Sequence, residues 1–285
     1  MSFSISDAYT KLQAIIENTS DDVLPRPDII AAVTKTIITS LPQQGLGEAA
    51  TAQHLLNELT PGFQGQKTGS NYYGFVTGGT LPIAEVADNI VTAFDQNSGV
   101  HLPDQSINTT VEDAALRMLI ELLDLGNDWY GRTLTTGATA SNVLGLACGR
   151  EAIIKLRLKA RAVEGGVGEL GLLTACLKAG IQNIQILTTL GHSSLYKAAS
   201  VVGIGRASVK ELPASETEPW KMDLPALENE LRRAGANGVA NIVSISAGEI
   251  NTGCFATTLS KMQKIRGLCD QYDAWLHVDG GMISF

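Results

Sequence analysis

Ala274-Trp275-Leu276-His277-Val278-Asp279-Gly280-Gly281 reads as a short strand that ends in a carboxylate and two glycines. In an open α/β sheet, ligands bind outside the carboxyl ends of the strands, so this reading puts Asp279 at the floor of a ligand crevice. The residues before it alternate in the same sense. Helical spacing over Leu259–Tyr272 follows a strand pattern at Ala240–Ile245, and a helix over Leu224–Arg233 follows a strand at Ala207–Leu212. A helix over Ser194–Val202 follows Ile184-Gln185-Ile186-Leu187-Thr188. Strands alternating with helices predict βαβ units and a mostly parallel sheet, an α/β fold.

A long helix is expected over Ser141–Ala162, and Val163-Glu164-Gly165-Gly166-Val167-Gly168 reads as a flexible loop. The N-terminal part has a different texture. Helical patterns at Asp7–Glu17, Asp28–Val33 and Gly47–Leu59 are broken by Pro25-Arg26-Pro27 and ended by Pro61-Gly62. Residues 62–80 are a loop by composition. Helices follow from Pro82 to near Asn97 and over Val111–Leu125. The expected division is a helical segment with its loop at 1–80 and the α/β part at 81–285.

Composition narrows the function. Lys+Arg 21 against Asp+Glu 29 gives a net charge of -8, which argues against a basic nucleic-acid footprint. Cys148, Cys176, Cys254 and Cys269 form no C-x-x-C pair, so they read as reduced core thiols of a cytoplasmic protein, and no metal is expected. Met1–Lys11 lacks the pattern of a secretory signal, and no run approaches the roughly 20 apolar residues of a membrane span.

Four constellations carry candidate chemistry. Thr135-Thr136-Gly137-Ala138-Thr139-Ala140-Ser141-Asn142 places small residues just before a helix, where free N–H groups and the helix dipole favour a phosphate. The same residues also read as a plain helix cap. Leu190-Gly191-His192-Ser193-Ser194 puts a histidine at a strand–helix junction, where it stacks on a flat ring, moves a proton or simply caps the helix. Ser246-Ala247-Gly248-Glu249-Ile250-Asn251-Thr252-Gly253 gathers small and polar residues where another strand ends. The fourth is His277-Val278-Asp279. A carboxylate facing the nitrogen of a pyridine cofactor raises that nitrogen's pKa by roughly 1–3 units and keeps the ring an electron sink. Otherwise Asp279 caps the loop that follows.

These stretches, in this order, resemble the group II pyridoxal-phosphate-dependent amino-acid decarboxylases. Thr136-Gly137-Ala138-Thr139 with Ser141-Asn142 is similar to the family's phosphate turn. His192-Ser193-Ser194 resembles the loop whose histidine stacks on the ring, and Ala247-Gly248 through Asn251-Thr252-Gly253 resembles the loop on the other side. His277-Val278-Asp279 resembles the segment whose aspartate meets the pyridinium. Tyr73-Gly74-Phe75-Val76-Thr77-Gly78-Gly79 and Phe94-Asp95-Gln96-Asn97 resemble the substrate-side and dimer-side loop and helix.

The resemblance implies a fold type I large domain, incomplete at its C-terminus and without the small C-terminal domain. It implies pyridoxal 5'-phosphate as cofactor and a homodimer with the 1–80 segment on the dimer side. The implied cofactor ligands are Gly137, Ala138, Thr139, Ser141, His192, Ser194, Asn251, Thr252 and Asp279. Tyr73, Phe75 and Thr77 are implied on the substrate side, and His192 and Asp279 are the implied catalytic pair.

Ala140 stands where the family often has an acidic residue. The family's Schiff-base lysine lies a few tens of residues beyond the aspartate, past Phe285, and Lys197, Lys261 and Lys264 fall in helical patterns. Slow turnover is therefore expected. Three readings follow: an impaired carboxy-lyase acting on an amino acid, a non-catalytic cofactor-binding or dimerising fragment, and another reaction on the same cofactor such as transamination. The small and apolar composition leans toward an aromatic or aliphatic substrate over glutamate.

Overall fold

The computed structural model describes residues 3–18, 22–65, 71–72, 74, 79–248, 252–254 and 257–281. They form two compact units, 1–115 and 116–285.

The first unit is helical. It comprises α1 (Ile5–Glu17), α2 (Pro27–Thr34), α3 (Glu48–Gln53) and α4 (Pro82–Ala93), and α5 (Asn108–Leu122) begins in it. The sequence pattern at Gly47–Leu59 is one helix; in the structure α3 widens into a π-helix at His54–Leu59 and closes with a 3-10 turn at Thr60–Gly62. Pro61 sits in that turn, where a missing N–H costs nothing. None of α1–α5 buries a residue.

The second unit holds the core. Its elements are α6 (Ala138–Ala160), α7 (Val167–Leu170), α8 (Leu172–Ala179), β1 (Asn183–Thr188), α9 (Ser193–Val201), β2 (Val209–Glu211), α10 (Leu224–Ala236), β3 (Val239–Ser246), α11 (Leu259–Gln271) and β4 (Trp275–Asp279). The described strands make one parallel sheet in the order β2-β1-β3-β4. β1 and β3 are buried on both faces, as central strands of a parallel sheet must be.

Pleating sends alternate residues into two cores. Ile184, Ile186, Ala240 and Ile242 pack with Leu146, Ile153 and Ile154 of α6, Ala175 of α8 and Leu195, Ala198 and Ala199 of α9. Leu187, Val243 and Ile245 pack on the opposite face with Leu227 and Leu231 of α10 and Ile265 and Cys269 of α11. The chain leaves β1 toward β2 through α9 and leaves β3 toward β4 through α11. These connections diverge, so a topological switch point lies between the carboxyl ends of β1 and β3, where such sheets bind ligands.

Two sequence expectations are corrected here. Val167 and Gly168, read as the end of a loop, open α7, because carboxylates replace the missing apolar periodicity: Gly166 N donates to Glu169 Oε2 at 2.7 Å and Val167 N to Glu151 Oε2 at 3.0 Å. α8 went unread, although its end is marked by Gly180 in the left-handed region (φ 66). The thiols are not all in the core either. Cys269 is buried, Cys148 is exposed, and Cys176 and Cys254 are intermediate.

A polar cluster lies on the α10 face near the amino ends of the strands. The Gln185 amide donates to Asn241 Oδ1 at 2.7 Å and to Glu230 Oε1 at 3.1 Å, and the same oxygen receives Lys210 Nζ at 2.7 Å and Arg233 Nη2 at 2.6 Å. With Arg233 the main cause, Glu230 is held down at about 2 against a usual 4.5. A carboxyl lowered on folding stabilises the fold above its unfolded value and stops doing so as pH falls. Acid titration of the second unit should therefore lose stability between about pH 4.5 and 2, and Glu230→Gln should flatten that part of the curve.

Candidate active site

Toward the carboxyl edge, the α6 face of the sheet changes from apolar to polar. Register aligns Ile186, Ile242 and Trp275 in one row. Two residues further along the strands come Thr188, Ser244 and His277, then Ser246 opposite Asp279. The Thr188 hydroxyl is buried there without a hydrogen-bond partner among the described residues.

α6 lies unusually close over β4 because its facing residues lack side chains. A Cβ on Gly149 would stand 2.6 Å from Trp275 Cδ1, and one on Gly145 would stand 2.5 Å from His277 Cε1. At the end of the strand, Ala138 Cβ lies 3.3 Å from where a Gly281 Cβ would be. The start of α6 and the end of β4 therefore share one corner of the unit.

Asn142 fills that corner. It is 2% exposed, and its Nδ2 donates to Asp279 Oδ2 at 3.0 Å and to Ser194 Oγ at 3.0 Å. A carboxylate only accepts, so the amide orientation is fixed and Oδ1 must accept from His277 Nε2, 2.8 Å away. Burial pushes the His277 imidazole below its usual range, against the opposing pull of Asp279, so the ring stays neutral at physiological pH. Asp279 also receives Gly281 N at Oδ1, 3.2 Å, and its own carbonyl receives Ala247 N at 2.8 Å.

The helix N-terminus beside this carboxylate is open. Gly137 (φ 149, ψ 170) is the N-cap residue of α6 and supplies no side-chain cap. A Cβ there would meet nothing within 4 Å. The amides of Ala138, Thr139 and Ala140 precede any helical carbonyl able to accept from them. Thr139 is exposed; the Ser141 hydroxyl is engaged by Thr135 Oγ1 at 2.6 Å. Ala138 and Asn142 are four residues apart, about 6 Å of helix rise.

His192 approaches from the β1 loop as the N-cap of α9. Its Nδ1 accepts from Ser194 N at 3.3 Å and lies 2.8 Å from Ser194 Oγ. Ser194 is buried and His192 exposed. Thr252 is exposed, and its Oγ1 accepts from Cys254 N at 3.1 Å. Asn251, Tyr73, Phe75 and Thr77 lie outside the described residues. Lys197 lies in α9, and Lys261 and Lys264 lie in α11.

Gly137, Ala138, Thr139, Ser141, Ser194, His192 and Asp279 thus stand at one edge of one sheet, with Ser194 and Asp279 joined by hydrogen bonds through Asn142. Asn142 was quoted within the phosphate turn but given no role of its own. A helix position four residues past a small-residue start, facing a strand-end carboxylate, was the available signal.

Known proteins share this fold. No family model matches the chain. L-2,4-diaminobutyrate decarboxylase of Acinetobacter baumannii is 26% identical over 204 residues, 70% of this chain and 38% of that protein. The glutamate decarboxylase domain of a Vibrio parahaemolyticus protein superposes with a TM-score of 0.75 at 19% identity, over 97% of this chain and 56% of that one. These relatives are pyridoxal-phosphate-dependent amino-acid decarboxylases of group II, and it is to that family that the chain is similar. Oryza sativa TDC, solved with PLP and tryptamine, matches at a TM-score of 0.69 and 19% identity, over 98% of this chain and 58% of that one. The chain has the fold type I architecture of these solved structures. It spans well under half the length of its first curated relative, 38%.

Proposed function

We propose that this chain holds pyridoxal 5'-phosphate at the corner of α6 and β4 and serves the decarboxylation of an amino acid. One observation carries the reading: Asn142, one turn inside an uncapped helix start, bonds the strand-end carboxylate Asp279. An anion-binding helix terminus and a cation-binding carboxylate therefore face one space, as a phosphorylated pyridine requires. Gly137 leaves that approach clear.

When bound, pyridoxal phosphate supplies the electron sink for the pair released as carbon dioxide departs. The chain's own residues do the rest. The amides of Ala138, Thr139 and Ala140 would hold the phosphate, with the α6 dipole behind them. Asp279 would hold a proton on the ring nitrogen, its two oxygens kept in place by Asn142 and Gly281. His192 and Ser194 would close the side above β1, while Thr252 would close it above β3. Buried Asn142 and neutral His277 keep water out beneath Asp279, which strengthens its field at the ring.

Thr139→Asp separates this reading from general damage. An acid in the first helical turn adds about 0.5 kcal/mol of helix stability. The same charge beside a phosphate should weaken pyridoxal phosphate binding by at least about tenfold. A raised Tm with a weaker Kd, read by absorbance titration, is the expected pair. Unchanged affinity would remove the phosphate from α6.

The reading extends to a second copy of the chain. Ile83, Val86, Ile90 and Phe94 line one face of α4 and its end, and all are exposed, Ile83 and Phe94 at 71% and 72%. A contiguous apolar face of this kind is commonly covered by a partner, and self-association fits the dimer side implied for Phe94. Light scattering should give twice the 30.1 kDa chain mass, falling to that mass in Ile83→Lys/Ile90→Lys; a monomeric wild type would contradict it. The four free thiols fit a reducing, cytoplasmic setting.

A further inference from the structure

The hydrogen bonds around Asn142 have a direction as well as a geometry. Both amide protons are spent, one on Asp279 Oδ2 and one on Ser194 Oγ. A hydroxyl that accepts at its oxygen has its own proton to give, and His192 Nδ1 lies 2.8 Å away. That nitrogen already accepts from the backbone N–H of Ser194, a group that can only donate, so it carries no proton. The His192 ring proton therefore sits on Nε2. On its other side, the Asn142 carbonyl demands a proton from His277 Nε2. One amide thus sets the tautomer of His277 and the placement of one carboxylate and, through the Ser194 hydroxyl, joins the backbone N–H of Ser194 in holding the tautomer of His192.

We propose that Asn142 is a positioning residue that joins Asp279 to His192 through Ser194, so that the carboxylate and the ring are set as one unit. Among the described residues, the hydrogen bonds of the Asn142 side chain go to Asp279, Ser194 and His277, not to His192. Any influence on it must pass through the Ser194 hydroxyl, which is buried and held on both sides. The catalytic value of the unit rests on the cofactor reading above, but the coupling itself belongs to the chain alone. A ring fixed in this way presents an N–H donor at Nε2 and keeps Nδ1 inward. A group bound between His192 and Asp279 then meets a donor on one side and an acceptor on the other without either side having to turn.

Nitrogen-15 NMR of the chain without any ligand reads both tautomers directly. The chain has four histidines, so His54 and His101 serve as internal controls of the fold. In the wild type, His192 and His277 should each show Nε2–H as the major form. Asn142→Ala should shift the tautomer ratio of His192 by about fivefold, the worth of one hydrogen bond, with His54 and His101 unmoved. Ser194→Ala should release His192 in the same way, and Ser194→Thr, which keeps the hydroxyl, should restore it. His192 resonances unchanged in both Asn142→Ala and Ser194→Ala would overturn the proposal. If Asn142→Ala fails to fold, the Ser194→Ala and Ser194→Thr pair decides alone: release and restoration support the coupling, and no change refutes it. Because no cofactor is present, a chain that never binds pyridoxal phosphate but shows these shifts would refute the cofactor reading and leave the coupling standing.

Discussion

Asp279→Asn should weaken pyridoxal phosphate binding by about 10- to 1000-fold while leaving the fold in place. The range is that of a pKa shift of roughly 1–3 units produced by one adjacent opposite charge, at about 1.4 kcal/mol per unit. Asparagine matches the shape of aspartate but not its hydrogen bonding. Both protein groups that meet the carboxylate are donors, Asn142 Nδ2 at 3.0 Å and Gly281 N at 3.2 Å. An asparagine amide there must turn its own NH2 toward one of them and lose that bond. The stability cost is about one hydrogen bond, roughly 1 kcal/mol, so the affinity loss is the larger effect. Absorbance titration gives the affinity and thermal unfolding the stability. A large Tm loss with unchanged affinity would make Asp279 a structural cap, the alternative that the sequence left open.

Gly145→Val should be the most damaging single change on α6. Taken alone, a glycine inside a helix is destabilising by about 1 kcal/mol relative to alanine, so replacement ought to help. Here the new Cβ would stand 2.5 Å from His277 Cε1 and 2.7 Å from Nδ1. That ring is half-buried and bonded to Asn142, so swinging aside would break the bond. Overpacking of this kind costs about 1–3 kcal/mol, and the lost His277 bond adds roughly 1 more. The balance favours a net loss of about 2 kcal/mol, several degrees in Tm for a unit of this size. Gly267→Ala on α11 is the control, since a Cβ there meets nothing within 4 Å. It should gain up to about 1 kcal/mol. Equal effects at the two positions would mean that α6 does not press on β4 as described.

The α/β alternation was readable because the strands of the central pair are mostly apolar and the helices beyond them carry acceptors at their starts. Asp223 caps α10 by accepting from Ala226 N, and Thr258 caps α11 by accepting from Lys261 N. α7 escaped because its order comes from Glu151 and Glu169, a tertiary and a local carboxylate that no periodicity shows. Cys148 was misplaced because apolar and polar residues are spread around α6 without a distinct stripe, so residue type does not tell its covered face from its open one. Asn142 escaped for a related reason. A buried asparagine reads as an ordinary polar residue until the carboxylate, the imidazole and the hydroxyl that surround it arrive from β4 and α9, between 52 and 137 positions away in the chain. The glycines of α6 show the converse. They look like weak points in a helix, yet they are what lets Trp275 and His277 approach it.

The most direct measurement is a crystal structure of the chain with 4-deoxypyridoxine 5-phosphate, which carries the ring and phosphate but has no aldehyde to react with a lysine. The phosphate should lie against the amides of Ala138, Thr139 and Ala140, and the ring nitrogen should sit within about 3 Å of an Asp279 oxygen. A phosphate bound elsewhere, or a ring whose nitrogen points away from Asp279, would contradict the site.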